Sequence, residues 1–125
     1  MKPDQTELQI ELLKLILPPD MFDYFDIIKV SSSGNTIDVF LDEKYHKPEN
    51  YKDEKLISKG FHEAITIQDF PIRERTVYLH VRCRRWIIGS SGQIISSELD
   101  AIEKGTRYTK GFASFLKELF GQLPH

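Results

Sequence analysis

Apolar positions recur along this chain with two different periods. Near the N-terminus Leu8, Leu12, Leu15 and Ile16 follow helical spacing, and Ile10, Leu13 and Leu17 widen the stripe. A helix from about Asp4 to Leu17 is predicted. Asp4-Gln5-Thr6-Glu7 has the form of a capping box with Asp in place of Ser or Thr, and Pro18-Pro19 stops the helix. So broad a stripe can serve a core or a partner, and the core is the expectation.

From Asp20 to Asp23 the chain reads as a connector or single helical turn, and beyond it the period changes to two. A strand from Tyr24 to Ser31, the turn Ser32-Ser33-Gly34-Asn35 and a strand from Thr36 to Leu41 form a predicted hairpin. In its second strand Ile37, Val39 and Leu41 alternate with Thr36, Asp38 and Phe40. Asp42 to Lys59 is polar and charged, with Tyr45, Pro48 and Tyr51 scattered through it, and reads as a mobile excursion or a short helix. A third strand is predicted from Phe61 to Phe70, with Ile65 and Ile67 inward. Pro71-Ile72-Arg73-Glu74 turns it into a long strand, Arg75 to Ile88. Gly89-Ser90-Ser91-Gly92 makes another turn, from which Gln93 to Ser96 can pair back.

The last element starts at Thr109 as N-cap. Phe112, Phe115, Leu116, Leu119 and Phe120 lie at i, i+3, i+4, i+7 and i+8, and Gly121 and Pro124 end the helix. The expected fold class is α+β: a small antiparallel sheet of four to five strands in hairpin or meander order, with the N- and C-terminal helices packed on it. One domain spans 1–125, made of helix plus hairpin (1–41), a polar excursion (42–60), and an Arg-rich hairpin with the C-terminal helix (61–125).

Hydrophobic content of 40% and charged content of 29% are ordinary for a globular domain, and 125 residues suffice for a core without staples. No apolar run reaches membrane-spanning length, and MKPDQTELQ lacks the layout of a secretory signal, so a cytoplasmic protein is expected. The single cysteine, Cys83, excludes an internal disulfide and a zinc ribbon built on paired cysteines. Net charge is −2, but its distribution is two-sided. Residues 1–63 carry eight lysines, no arginine and thirteen acids; residues 64–125 carry all six arginines and three lysines against six acids. Arginine is the residue of bidentate phosphate and base contact, so its confinement to one region matters more than the total.

That region centres on the long strand. Val77, Leu79, Val81 and Cys83 form one face, suited to a core. Thr76, Tyr78, His80, Arg82, Arg84 and Trp86 form the other, where guanidinium groups alternate with rings. Guanidinium forks pair with phosphate oxygens and rings stack on bases or sugars. The same residues also suit a solvated strand face with cross-strand pairs. Upstream of the last helix, Lys104-Gly105-Thr106-Arg107 sets two cations where a helix N-terminus can hold a phosphate, or forms a simple loop.

The remaining residues form no catalytic constellation. His46, His62, His80 and His125 share no metal-ligand spacing, Cys83 alternates with core positions, and no phosphate loop, GxSxG or dinucleotide fingerprint occurs. Asp26, Asp38 and Asp69 lie on or beside strands at spacings that select no metal. A non-enzyme without cofactor or metal is expected. Two helices at opposite ends of the chain do not make a helix-turn-helix, so DNA contact would fall to the sheet and its loops.

Asp69-Phe70-Pro71-Ile72, the strand Val77-Tyr78-Leu79-His80-Val81-Arg82-Cys83-Arg84-Arg85-Trp86, then Gly105-Thr106-Arg107-Tyr108-Thr109 and a Phe-rich helix resemble the N-terminal region of ISL-type insertion-sequence transposases. Within that family the chain is most similar to the short, separate N-terminal-region proteins of the ISAon group in Bacteroidetes. The resemblance covers about Ile57 to Leu119. In the family this segment belongs to a zinc-ribbon-like module, followed by a helix that leads toward a helix-turn-helix and a DDE catalytic domain. Here the ribbon's cysteine pairs, the helix-turn-helix and the DDE carboxylates are absent. The resemblance thus implies a degenerate, metal-free hairpin region held by packing, in a bacterial, nucleoid-associated piece that acts with a catalytic part encoded separately or downstream.

Two functional expectations result. The first is a non-catalytic DNA-binding and assembly module docking on double-stranded transposon ends. Arg82, Arg84 and Trp86 would dock, with His80 and Arg85 on the same strand and Arg73, Arg75, Lys104, Arg107 and Lys110 as phosphate contacts. Alanine at both Arg82 and Arg84 is expected to weaken DNA binding and leave the fold intact. The second is a protein-interaction subunit, in which the Leu-rich first helix and acidic half dock the catalytic transposase or a second copy as a homodimer, and the arginines pair with acids.

Overall fold

The computed structural model describes residues 5–47, 54–95 and 109–123. The N-terminal periodicity becomes helix α1, Gln5–Ile16, followed by the single-turn helix α2, Met21–Tyr24. Strands β1, Phe25–Ser33, and β2, Thr36–Glu43, make the expected hairpin around Gly34-Asn35. Between Ile27 and Lys29 a bulge pushes Ile28 out of register and into solvent. Where one strand was expected from Phe61 to Phe70 there are two, β3, Leu56–Phe61, and β4, Ile65–Ile72. Both ends of the expected polar excursion are strand: Asp42 and Glu43 finish β2, and Leu56 to Lys59 begin β3.

The long strand is also two strands, β5, Arg75–Arg82, and β6, Arg84–Ile88, broken at Cys83; β7 is the pair Ile94–Ile95, and helix α3 spans Lys110–Gly121. The chain is α+β, with one correction to the expected sheet. There are two sheets among the described residues, one of order β1-β2-β5-β4 and one of order β3-β6-β7. The first is mixed and not antiparallel throughout: β2 and β5 run parallel, with Val39 opposite Leu79 and Leu41 opposite Val81. These two strands carry the densest β-branched and leucine alternation of the chain, and burying them side by side at the sheet centre covers the most apolar surface.

The main core lies between this sheet and the helices. Val39, Leu41, Ile67, Val77, Leu79, Val81 and Cys83 meet Leu13, Leu17, Met21 and the Phe112, Phe115, Leu116, Leu119, Phe120 stripe of α3. Phe25 stands edge-on to Phe115, and Tyr24 stacks on Phe112 with 5.6 Å between centroids in each pair. Thr109 caps α3 as expected: its hydroxyl oxygen accepts from the Phe112 N–H. Asp20 completes the cap from afar, accepting from the Thr109 backbone N–H and hydroxyl at 2.9 Å each. Gly111 permits α3 to close on α2's approach, since a Cβ there would stand 3.2 Å from Pro18 Cγ.

A second, smaller core of Leu56, Trp86, Ile88 and Ile95 holds the three-stranded sheet. This is the segment expected to be zinc-ribbon-like. Apolar packing around Trp86 joins its strands, and no group of three His, Cys, Asp or Glu side chains placed to hold a metal occurs among the described residues. No helix among the described residues is long and apolar enough to cross a membrane.

Helix α1 departs from expectation in which side it buries. Leu13 and Leu17 enter the core, whereas Leu8, Leu12, Leu15 and Ile16 are 51%, 58%, 84% and 45% exposed. The stripe expected to face the core faces solvent. The capping box at Asp4 begins outside the described residues.

Candidate nucleic-acid interface

The β5–β6 ribbon exchanges its buried side as it passes from one sheet to the other. In β5 the odd positions Val77, Leu79 and Val81 are buried; in β6 the even positions Trp86 and Ile88 are. Cys83, buried in the main core, is the crossover, and its carbonyl accepts from the His62 N–H at 2.8 Å. One strand face therefore cannot present Arg82, Arg84 and Trp86 together. Trp86 has no exposed surface, and Tyr45 packs edge-on against it at 5.1 Å. Its assignment as a docking residue is corrected: its ring is the centre of the small core.

On the outer face of the main sheet, the cations sit among carboxylates and rings. Arg82 Nε donates to Asp42 Oδ1 at 2.6 Å, and Nη2 donates to Asp42 Oδ2. That hydrogen bond raises the Arg82 guanidinium above the usual arginine range, against the opposing effect of desolvation. The Arg84 backbone N–H donates to Glu43 Oε1, and its Nε donates to the Glu43 carbonyl at 3.0 Å. Phe61 lies between both guanidinium groups, 4.4 Å from that of Arg82 and 4.7 Å from that of Arg84, and Tyr45 covers Arg84 at 5.2 Å. Arg85 donates to the Lys59 carbonyl at 3.2 Å, while its Nε and the Trp86 Nε1 are buried with no hydrogen-bond partner among the described residues.

Arg82 and Arg84 therefore stitch the end of β2 to the junction of the two sheets. The Arg82 guanidinium, neutralised by the Asp42 carboxylate, attracts phosphate weakly, since Coulomb attraction depends on local net charge, whereas the Arg84 guanidinium donates to a backbone carbonyl and keeps its charge. Alanine at Arg82 and Arg84 would therefore remove contacts at this junction as well as two cations.

His80 is held at both ring nitrogens. Nε2 lies 2.7 Å from Asp38 Oδ1, and Nδ1 lies 2.9 Å from the Thr66 hydroxyl, while the ring stacks on Phe40 at 4.7 Å. The order hydroxyl, imidazole, carboxylate is that of a nucleophile and its base, but here it runs along a partly exposed row across β4, β5 and β2, where it fixes the ring's orientation. Periodicity missed this row because its members come from three strands. The sequence signal for it was their shared outward parity.

Arg73 and Arg75 differ from the strand arginines. Arg73 lies in the β4–β5 turn and Arg75 opens β5 directly after it; both are exposed, and neither belongs to an ion pair among the described residues. Arg73 and Glu74 occupy the left-handed region with φ of 51° and 70°, the geometry of a tight hairpin turn that ordinarily takes Asn or Gly. The neighbouring β1–β2 turn reaches the same end of the sheet, where the Thr76 N–H donates to the Asn35 carbonyl. Lys110 lies at the start of α3, beside the groove that Phe70 to Ile72 also line, and Lys104 and Arg107 lie outside the described residues. Of the ten expected contact residues, Arg73, Arg75 and Lys110 are exposed and outside every ion pair among the described residues, and of these Arg73 and Arg75 share one tip. Comparison with protein-family models, with curated proteins and with solved structures finds no match to this chain.

Proposed function

We propose that this chain is a non-catalytic DNA-binding and assembly module of an insertion-sequence transposase, working beside a catalytic part encoded separately or downstream. DNA contact is assigned to the end of the main sheet where the β4–β5 tip carries Arg73 and Arg75. The observation that carries this reading is that these two guanidinium groups are exposed on one tip and outside every ion pair among the described residues, whereas Arg82 is ion-paired with Asp42 and the Arg84 guanidinium is held by the Glu43 carbonyl between the rings of Phe61 and Tyr45. A two-stranded ribbon with cations at its tip fits a DNA groove, and backbone phosphates are the natural partners of unneutralised guanidinium. The resemblance of about Ile57 to Leu119 to transposase N-terminal regions supplies the biological setting.

The test is a fluorescence-anisotropy titration against duplexes from the ends of the host element and against scrambled duplexes, repeated across salt concentrations. Preference for the ends with a steep salt slope supports the reading. Absence of binding at low salt refutes DNA contact.

The second reading, a protein-interaction subunit that docks the catalytic transposase or self-associates, is favoured by a different observation. The acid-paired Arg82 and the solvent-facing Leu8, Leu12, Leu15 and Ile16 suit a protein partner better than phosphate. Partner binding that survives high salt while DNA binding is undetectable selects it.

A further inference from the structure

A groove of about 1020 Å³ opens between the C-terminal end of α1, strand β4 and the first turns of α3. Its lining is mostly apolar, including Leu15, Ile16, Phe70 and Phe115. Two of its lining residues project from it: Leu15 is 84% exposed and Phe70 is 85% exposed. Knob and hole therefore lie on one surface. Leu8 and Leu12 continue the apolar strip along α1, at four- and three-residue steps to Leu15.

We infer that this groove is the interface of a homodimer, in which two copies pack face to face about a two-fold axis. The inference goes beyond the DNA reading and uses none of its residues. A two-fold contact requires a self-complementary patch, in which each group meets its counterpart's complement. The groove meets that requirement twice. Each copy offers an apolar cleft and exposed Leu15 and Phe70 side chains to fill the other's cleft. Lys110 and Glu118 also line it, eight residues apart on one side of α3 and thus about 12 Å apart along the helix. Antiparallel approach of two α3 helices sets Lys110 of one copy against Glu118 of the other, at both ends of the contact. Neither residue belongs to an ion pair among the described residues.

Strand addition is the competing use of this surface, because β4 is an edge of its sheet. Pro71 and the irregular register between Asp69 and Ile72 oppose it: proline has no N–H to offer an added strand, and a bulge turns the edge away. Leu8, Leu12, Leu15, Ile16 and Phe70 are between 45% and 85% exposed, and apolar side chains gathered beside an apolar groove mark a protein contact. A reversible dimer is expected.

Sedimentation velocity of the full chain over a concentration series tests this. The expected result is a concentration-dependent doubling of mass, abolished by Phe70→Glu and by Leu15→Glu with the circular dichroism and melting curve of the monomer retained. K110E and E118K should each weaken the dimer about tenfold, and the double charge swap K110E/E118K should restore it, because the pairs re-form with signs exchanged. A monomer at every concentration overturns the inference and leaves the groove to a partner of different sequence. A dimer indifferent to Phe70→Glu, Leu15→Glu and the charge changes overturns it equally. DNA titration of the same variants separates the two readings: loss of the dimer with binding by each copy retained, or the reverse, shows which has failed.

Discussion

Arg82 and Asp42 stand opposite each other across the parallel β2–β5 pair, joined by two parallel N–H···O bonds between guanidinium and carboxylate. The residues are forty apart in sequence, and only the parallel register brings them together. The Arg82 side chain remains 48% exposed, so water screens much of the attraction. Arg82→Ala is accordingly expected to lower stability by no more than about 1 kcal/mol, measured by urea denaturation, and a double-mutant cycle with Asp42→Ala should return a coupling of similar size.

The same pair has a defined response to pH. The Asp42 hydrogen bond raises Arg82 above its ordinary range. A cationic group raised on folding contributes stability that is full below its unfolded value and is lost only as pH climbs through the folded one. That window lies above the usual arginine range, so the difference between wild type and Arg82→Ala should be equal at about pH 7 and about pH 10. A difference that shrinks by pH 10 would contradict the pairing.

Trp86 is the chain's single tryptophan, which makes the small core visible by fluorescence. Its emission should be that of a buried indole and should keep its maximum when DNA is added, since no ring surface is free to stack. Trp86→Ala should cost about 3–5 kcal/mol, the range for emptying a large aromatic site. A strong quench on adding DNA would restore Trp86 to the binding face.

At the β4–β5 tip, Arg73→Ala/Arg75→Ala should reduce DNA affinity and lower the salt slope by about two, one for each phosphate that is no longer neutralised. Melting should change little, because both side chains are exposed. Unchanged affinity would move DNA contact elsewhere.

Glu74 holds a φ of 70°, which costs a non-glycine residue about 1–2 kcal/mol. Glu74→Gly removes that strain but loosens the unfolded chain, and a net gain of about 0.5–1 kcal/mol is expected by thermal denaturation. Removing the acid between two arginines should also strengthen DNA binding.

What the sequence determined by itself was local. Two-residue alternation located β1, β2 and β5, and helical spacing with a threonine cap located α3, because each depends on neighbours within one turn or one pleat. Parity along β5 also identified Val77, Leu79 and Val81 as core. Tertiary structure decided everything that depended on what lies opposite. Helix α1 has apolar residues on two sides, so periodicity could not choose which would be covered; docking on the sheet selected Leu13 and Leu17 and left Leu15 in solvent. The strand at Cys83 passes from one sheet to another, which inverts the buried side and takes Trp86 out of the outward row. The arginines acquired Asp42 and Glu43 as partners through pairing of β2 with β5, a contact between distant segments that no local period encodes. A period reports which residues share a side of an element, and only the packing of distant elements decides what that side will meet.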